Sequence, residues 1–114
     1  MEDCIFCRIV TGDMDADIVY EDDEVLAFRD INPQAPVHIL VIPRRHIRSS
    51  MDLAEEDADL LYNIFHVIRE IADKEGITGN GVRILTNVER RAGQSVFHLH
   101  FHVLGGRNMN WPPG

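Results

Sequence analysis

The chain has 114 residues, of which 45% are hydrophobic and 26% charged, a composition typical of one globular domain. Its 19 acidic and 11 basic residues give a formal net charge of −8. That charge argues against a surface for nucleic acid or for an anionic membrane, because both require a positive field. A pocket for one mononucleotide stays open, since backbone amides and imidazoles can hold a single phosphate whatever the overall charge.

The start of the chain argues against a secretory signal, because it carries acidic residues and no long apolar run. No stretch elsewhere is long and apolar enough to span a bilayer. Internal repeats, low-complexity segments and linkers are also missing from the sequence. We therefore expect a soluble, cytoplasmic protein that folds as a single domain over residues 1–114.

In the first half of the chain, alternating apolar positions and turn residues predict one short helix and three strands. The helix is expected at residues 4–10 and the strands at 18–20, 25–29 and 37–42. Residues 32–36 break the chain between the last two strands, because each proline removes a backbone donor and restricts the residue before it.

The second half predicts one long helix at residues 53–75 and two further strands at 82–86 and 96–104. Asp52 and Glu55 have the spacing of a capping box, and Gly76 can end the helix in a left-handed conformation. An apolar stripe follows the helix at Leu60, Ile64, Val67, Ile68 and Ile71, with Leu61, Phe65 and Ala72 beside it. These elements predict an α+β fold. The width of the stripe favours a two-fold interface between copies.

Histidines occupy every second position at the end of the chain, at His98, His100 and His102. On a strand they would share one face at intervals of about 7 Å, while the apolar residues between them pack into the core. Imidazole is the side chain best suited to nucleophilic attack, proton transfer or metal binding near neutral pH. We therefore interpret this face as functional.

A loop with Gly93 and Ser95 leads directly onto the histidine segment. A glycine in such a turn lets backbone amides approach an anion, which would then lie beside His100, although a plain hairpin turn has the same composition. Asp30 and Asn87 each follow a predicted strand. Asp30 could accept hydrogen bonds from ribose hydroxyls or could be a solvated turn carboxylate, and Asn87 is similarly ambiguous.

Cys4 and Cys7 form a second chemical signal near the start of the chain. Two cysteines three residues apart can share a metal ion, but they supply only half of a tetrahedral zinc site. A redox pair is disfavoured because no strand precedes it, and a disulfide is disfavoured in a reducing cytosol. Two reduced, partly buried thiols are the remaining alternative.

Three segments resemble one known family. The run His98–Leu104 resembles the motif of the histidine triad (HIT) superfamily, and residues 28–38 and 104–114 resemble its histidine triad nucleotide-binding branch, the purine nucleoside phosphoramidases. The resemblance implies a HIT fold, which is a five-stranded antiparallel sheet with one short N-terminal helix and one long helix, assembled as a homodimer. It also implies hydrolysis of purine nucleoside phosphoramidates (AMP and GMP conjugates) and acyl-nucleotides to the nucleoside monophosphate.

The resemblance also implies residue roles. His100 resembles the nucleophile, His102 a phosphate-binding and proton-handling partner, and His38 the histidine that bonds the far nitrogen of the nucleophile. Ser95 or His102 would pass a proton to the leaving group. The implied nucleotide-binding residues are Asp30, Ile31, Asn87, Gly93, Gln94, Ser95, His100, His102 and Trp111, with Trp111 reaching the partner's site. Ala92 replaces a glycine often found in the family, and we expect it to stiffen the loop.

The family also includes members that bind structural zinc through an N-terminal cysteine pair. By that resemblance Cys4, Cys7, His46 and His98 would hold one zinc per chain, with no cofactor needed for catalysis. His66 is left over, on the long helix away from the stripe. Two alternatives stay open: a metal-dependent hydrolase that uses His38, His100 and His102 as ligands, and a nucleotide-binding regulatory protein.

Overall fold

The computed structural model describes residues 3–114. They form a five-stranded sheet in the order β1-β2-β3-β5-β4, in which every neighbouring pair is antiparallel. The strands are β1 (Ile18–Glu21), β2 (Val25–Arg29), β3 (Val37–Pro43), β4 (Val82–Leu85) and β5 (Phe101–Gly105). The predicted α+β class and the five-stranded antiparallel sheet are thereby confirmed.

Two α-helices cover opposite faces of the sheet: α1 (Ile5–Thr11) and α2 (Ala58–Lys74). Short 3₁₀ helices span Ser50–Asp52, Glu55–Asp57 and Arg90–Ala92. The predicted stripe of α2 is buried against Ile39, Val41 and Val103 of the sheet. On the other face, Phe6 and Ile9 of α1 are buried with alternate strand residues: Leu26, Phe28, Leu40 and Ile42.

The two-residue period of the strands decides where the histidines lie. Ile39 and Val103 belong to the core under α2, so the intervening residues of β3 and β5 turn toward the face that carries α1. His38 pairs in register with Leu104, and His102 pairs with Leu40, which makes the two histidines diagonal neighbours on adjacent strands. The helix α1 has seven residues, and its Phe6 packs against the rings of His98 and His100 on this face.

The long helix begins later than predicted, at Ala58 rather than at residue 53. The expected capping box of Asp52 and Glu55 is wrong, because the carboxylate of Asp52 accepts a hydrogen bond from the Ser49 hydroxyl at 3.0 Å. The backbone N–H of Ala54 donates to Asp57 instead, at 2.9 Å. The 3₁₀ turn Glu55–Asp57 therefore occupies part of the segment that the sequence assigned to the helix, and the 3₁₀ turn Ser50–Asp52 precedes it.

The end of α2 follows the sequence closely. Gly76 has a φ of +74°, and its N–H donates to the Asp73 carbonyl at 3.1 Å. The N–H of Ile77 donates to the Ala72 carbonyl at 3.0 Å, which completes a Schellman motif. Ile77 is thereby turned into the core.

The last strand is shorter than predicted, because β5 begins at Phe101 rather than at residue 96. Residues 96–100 make isolated bonds in place of a ladder. The Leu99 N–H donates to the Ile47 carbonyl at 2.6 Å, and the His100 carbonyl accepts from the Thr86 hydroxyl at 2.8 Å. Leu99 still lies in the core under α2, so the predicted alternation survives outside the strand. Among the described residues, no helix has the length and apolar character needed to cross a membrane.

Gly105 gives a test of the packing between β5 and the end of α2. A Cβ at this position would lie 2.7 Å from Cδ1 and 2.8 Å from Cβ of buried Ile77, whereas a Cβ at Gly79 would meet nothing within 4 Å. We expect Gly105→Ala to lower the free energy of unfolding by about 1–3 kcal/mol through overpacking. Gly79→Ala should change it by less than about 0.5 kcal/mol. Urea denaturation of both variants checks this, and equal stabilities would contradict the packing.

Candidate active site and metal centre

The first of two side-chain clusters, here named the Cys–His cluster, contains Cys4, Cys7, His46 and His98. Their potential ligand atoms all lie within 4.8 Å of one another. Cys4 caps the N-terminus of α1 and Cys7 lies in its first turn, while His46 follows β3 and His98 precedes β5. The Cys7 sulfur lies 3.3 Å from His46 Nδ1 and 3.5 Å from His98 Nδ1, and the Cys4 sulfur lies 3.4 Å from His98 Nδ1. The four residues that the sequence selected are thus brought together.

The chemistry of this cluster is compatible with a metal site. The Nε2–H of His98 donates to the Pro43 carbonyl at 2.8 Å, which leaves the Nδ1 lone pair facing the two sulfurs. Burial lowers the pKa of His98 to about 4, so this ring is neutral, as a ligand must be. Burial and the neighbouring Cys4 raise the pKa of the Cys7 thiol to about 11, so two adjacent thiolates require a cation. Two sulfurs and two imidazoles form a donor set that suits tetrahedral zinc.

The second cluster, here named the histidine cluster, contains His38, His100, His102 and Asp30. His38 Nε2 lies 2.9 Å from His102 Nδ1 and 3.4 Å from the carboxylate of Asp30. The backbone N–H of Gln34 donates to His38 Nδ1 at 3.0 Å, so the proton of a neutral His38 is on Nε2. That proton is donated to His102 Nδ1, which places the proton of His102 on its own Nε2. His102 therefore presents an N–H donor.

His100 has the opposite tautomer. Its Nδ1–H donates to the His98 carbonyl at 2.7 Å, so the lone pair is on Nε2. No buried side-chain nitrogen in the described part of the chain lacks a partner, so the unbonded Nε2 atoms of His100 and His102 are open to solvent. The edge of Phe6 packs against the His100 ring at a centroid distance of 5.0 Å and restricts its rotation. The ring thus presents a fixed lone pair beside the N–H of His102.

This arrangement differs from the expected role of His38. The far nitrogen of His100 bonds the carbonyl of His98, whereas His38 bonds His102. A backbone carbonyl two residues away carries no side-chain signal, so residue patterns could not reveal it. The same holds for the N–H of Gln34 and the carbonyl of Pro43, which set the tautomers of the other rings.

The remaining predicted residues lie in several places. Asp30 is half-buried, and its other carboxylate oxygen accepts from the Asn32 N–H at 2.8 Å, so it is not a free turn carboxylate. Ile31 beside it is fully exposed, at 100%. The Asn87 amide lies against Gly93, where a Cβ would come within 3.5 Å of it. Trp111 is 83% exposed on the C-terminal tail.

In the loop before the histidines, most backbone N–H groups already donate hydrogen bonds to carbonyls of the same loop. Gly93, at a φ of +100°, donates to the Arg90 carbonyl at 3.0 Å, and Gln94 donates to the Glu89 carbonyl at 3.2 Å. The N–H of Ser95 has no bond to any residue from 3 to 114 and is the free donor of the three. Gln94 is 1% exposed, and its side chain is bonded to Glu89, Arg48 and Val96, so a phosphate would have to displace one of these partners.

Ser95 lies on the side of the Cys–His cluster. It is exposed and lines a cavity of about 400 Å³ together with Asp3, Cys4, Ile5, His46, Val96 and Phe97. His66 is half exposed on α2, where its Nε2 lies 3.6 Å from Glu70 and its ring stacks on Tyr62. His66 is therefore outside both clusters, as expected.

The half-buried ring of His102 predicts a specific pH response. Burial, His100 and His38 lower the pKa of His102 from 6.5 to about 4. Because the folded pKa is depressed, the neutral ring contributes its full stabilisation above about pH 6.5 and loses it as the pH falls toward 4. We expect ¹H–¹³C NMR to give a His102 midpoint near 4, with stability decreasing over that interval. A midpoint at the ordinary histidine value would contradict the structure.

Comparisons of the sequence and of the structure with known proteins identify the same family. Residues 11–109 match the HIT domain family. An uncharacterised HIT-like protein of Synechococcus elongatus is 50% identical over 113 residues, which are 99% of this chain and 98% of that protein. A HIT family hydrolase from Legionella pneumophila superposes with a TM-score of 0.96 at 47% identity, covering 98% of this chain and 100% of that one. A histidine triad protein from Clostridium difficile superposes at 0.92 with 44% identity, covering 96% of each chain.

Proposed function

The chain belongs to the HIT domain family and is similar to HIT family hydrolases, and from this premise we propose that it hydrolyses purine nucleoside phosphoramidates and acyl-nucleotides. The observation that carries the proposal is the hydrogen bond from His100 Nδ1–H to the His98 carbonyl at 2.7 Å. It keeps a neutral imidazole with its Nε2 lone pair facing outward, as a nucleophile requires. Burial lowers the pKa of His100, which favours the same neutral form.

The reaction proceeds in two displacements at phosphorus. In the first, the Nε2 lone pair of His100 attacks the α-phosphorus, the bond to the amine or acyl group breaks, and a nucleotidyl–histidine forms. The leaving group takes a proton from Ser95 or His102. In the second, water attacks phosphorus, the bond to Nε2 breaks, and the nucleoside monophosphate is released with one proton from water returned to the site. Each displacement inverts phosphorus, so the overall result is retention.

The donors around His100 match the needs of a phosphoryl transition state. The Nε2–H of His102 and the free N–H of Ser95 would stabilise charge on the non-bridging oxygens. His38 keeps His102 in the donor tautomer. Asp30 would accept from the ribose hydroxyls, and exposed Ile31 would contact the purine. Asn87 and Gly93 would lie near the phosphate.

The Cys–His cluster is proposed to hold one structural zinc through Cys4, Cys7, His46 and His98. When bound, the metal ties α1 to the segments after β3 and before β5. All four ligands come from the protein, so no position is left for catalysis. The metal-hydrolase alternative uses His38, His100 and His102, but the group whose potential ligand atoms lie within 4.8 Å of one another is Asp30, His38 and His102, without His100. The Gln34 N–H donates to His38 Nδ1, so Nε2 of a neutral His38 carries the proton and has no lone pair for a metal, and we favour the metal-free reaction.

A homodimer is also part of the proposal. Phe65 of α2 is 43% exposed, and its ring packs on Phe101, so apolar surface continues beyond the core. Trp111 has no ring contact within residues 3–114, which agrees with a role in the partner's site, where it would contact the leaving group. Truncation after Gly106 would then change leaving-group preference more than nucleotide affinity.

The chemistry is tested at the proposed nucleophile. His100→Ala should lower kcat on an adenosine phosphoramidate by on the order of 10⁴-fold or more, while the substrate still binds. His66→Ala is the matched control, because it removes a histidine outside both clusters. Mass spectrometry of a reaction quenched in milliseconds should find the nucleotidyl group on His100. Inversion at a chiral thiophosphoramidate would mean direct attack by water and would overturn the nucleophile, and loss of activity with chelator would favour the metal-hydrolase alternative.

The zinc proposal is tested by elemental analysis of the purified protein, which should give about one zinc per chain. Removal of the metal should lower the melting temperature more than it lowers kcat, because metal binding is coupled to folding. Cys7→Ser should abolish tight binding, whereas His66→Ala should leave it intact. Zinc-free native protein with both thiols freely titratable would contradict the proposal.

A further inference from the structure

Glu89 has an unusual backbone conformation. Its φ of 71° and ψ of 166° make it the only non-glycine residue with positive φ among residues 3–114. Glycine alone adopts this region without strain, so any other residue is held there only by its surroundings. Glu89 opens the turn that leads to Ser95 and then to the histidines.

Three sets of hydrogen bonds hold Glu89. Its N–H donates to Gln94 Oε1 at 2.9 Å, and its carbonyl accepts from the N–H groups of Ala92 and Gln94 at 3.1 and 3.2 Å. Its carboxylate accepts two bonds from the Arg48 guanidinium at 2.5 and 3.3 Å. This bidentate bond lowers the pKa of Glu89, so the carboxylate stays charged. The strained residue is therefore fixed at its backbone and at its side chain.

Arg48 is connected to the same turn a second time. Its carbonyl accepts from the side-chain amide of Gln94 at 2.8 Å, and that amide also donates to the Val96 carbonyl at 3.3 Å. The guanidinium lies over the ring of Phe97 at 4.6 Å from its centroid. These contacts are here named the Arg48–Glu89–Gln94 clamp. They involve Gln94, which precedes Ser95, and Val96 and Phe97, which follow it.

The segment that carries Arg48 also holds the histidines. The carbonyl of Ile47 accepts from the Leu99 N–H at 2.6 Å, between His98 and His100. Residues 47–48 are thus bonded to residue 94 at one end of the segment and to residue 99 at the other. A change in the clamp would alter the position of Ser95 relative to His100 without breaking the core.

We propose that Arg48 and Glu89 are positioning residues, whose ion pair keeps the turn closed and fixes the Ser95 N–H and hydroxyl relative to the lone pair of His100. This rests on the proposed function for its effect on rate, but not for its effect on the turn. An exposed ion pair adds little to global stability. The ion pair can still decide whether the turn is closed or open, because the backbone strain at Glu89 favours the open conformation.

The test compares Arg48→Met, Glu89→Gln and the double variant. Glutamine keeps the size of Glu89, so Glu89→Gln removes only the ion pair. Methionine keeps an apolar side chain near Phe97, so Arg48→Met removes the ion pair and the contact of the guanidinium with that ring. We expect each to lower kcat on an adenosine phosphoramidate on the order of tenfold, with a smaller change in KM and an unchanged melting temperature. The double variant should be no worse than either single one. Arg90→Met is the matched control, since it removes a charge from the same turn without breaking this pair.

Amide hydrogen exchange supplies a readout that does not require activity. Exchange at residues 95–97 should be faster in Arg48→Met and Glu89→Gln, and unchanged in Arg90→Met. Unchanged exchange in the first two variants would overturn the clamp. Faster exchange with normal kcat would overturn the positioning role. If the unaltered protein does not hydrolyse phosphoramidates while exchange responds as expected, the proposed function fails, the role in rate fails with it, and the clamp on the turn stands.

Discussion

Both clusters depend on His98, whose carbonyl accepts a hydrogen bond from His100 Nδ1–H at 2.7 Å. His98 contributes its ring to the Cys–His cluster and its carbonyl to the histidine cluster. Its Nε2–H donates to the carbonyl of Pro43 at the end of β3, so neither the ring nor the backbone is free to rotate. One residue thus fixes a potential metal ligand and the tautomer of the proposed nucleophile. A shift of Cys4 at the start of α1 would be transmitted to His100 through two hydrogen bonds, from Cys4 to the His98 ring and from the His98 carbonyl to His100.

Hydrogen bonds to three backbone groups fix the tautomers of the buried histidines His38, His98 and His100. Carbonyls accept from His98 and His100, and an N–H donates to His38. Peptide groups do not titrate, so the tautomers stay the same over the whole pH range in which the rings are neutral. A carboxylate in place of either backbone carbonyl would stabilise the charged imidazolium and raise the pKa of the histidine. Burial acts in the opposite direction and lowers the pKa of His38, His100 and His102. The site is built to keep its rings neutral.

The sequence could predict the residues of both clusters but not the bonds between them. Side-chain identity and spacing indicated that His98, His100 and His102 share a face, and the two-residue alternation holds even though β5 begins only at Phe101. Cys4, Cys7, His46 and His98 were assigned from family resemblance, and the fold brings them within 4.8 Å of one another. The start of α2 was misplaced, because 3₁₀ turns satisfy the same capping residues as an α-helix. The bond between His38 and His102 was missed, because it depends on the register of β3 against β5, which no local pattern encodes.

The neutrality of the site has a consequence for how a phosphate can be held. The ring of His102 lies beside that of His100, with centroids 5.1 Å apart, and the charged group of the histidine cluster is the carboxylate of Asp30. In the proposed function, the phosphate would therefore be repelled by Asp30 and attracted to the His102 Nε2–H and the Ser95 N–H, and Asp30 would take the ribose hydroxyls. Dipoles of this kind stabilise a transition state only if they are already oriented, since they lack the long reach of a full charge. Such a site depends on a rigid turn. The hydrogen bonds that hold Glu89 in its strained conformation keep the turn rigid, as the backbone hydrogen bonds keep the imidazole rings in fixed orientations.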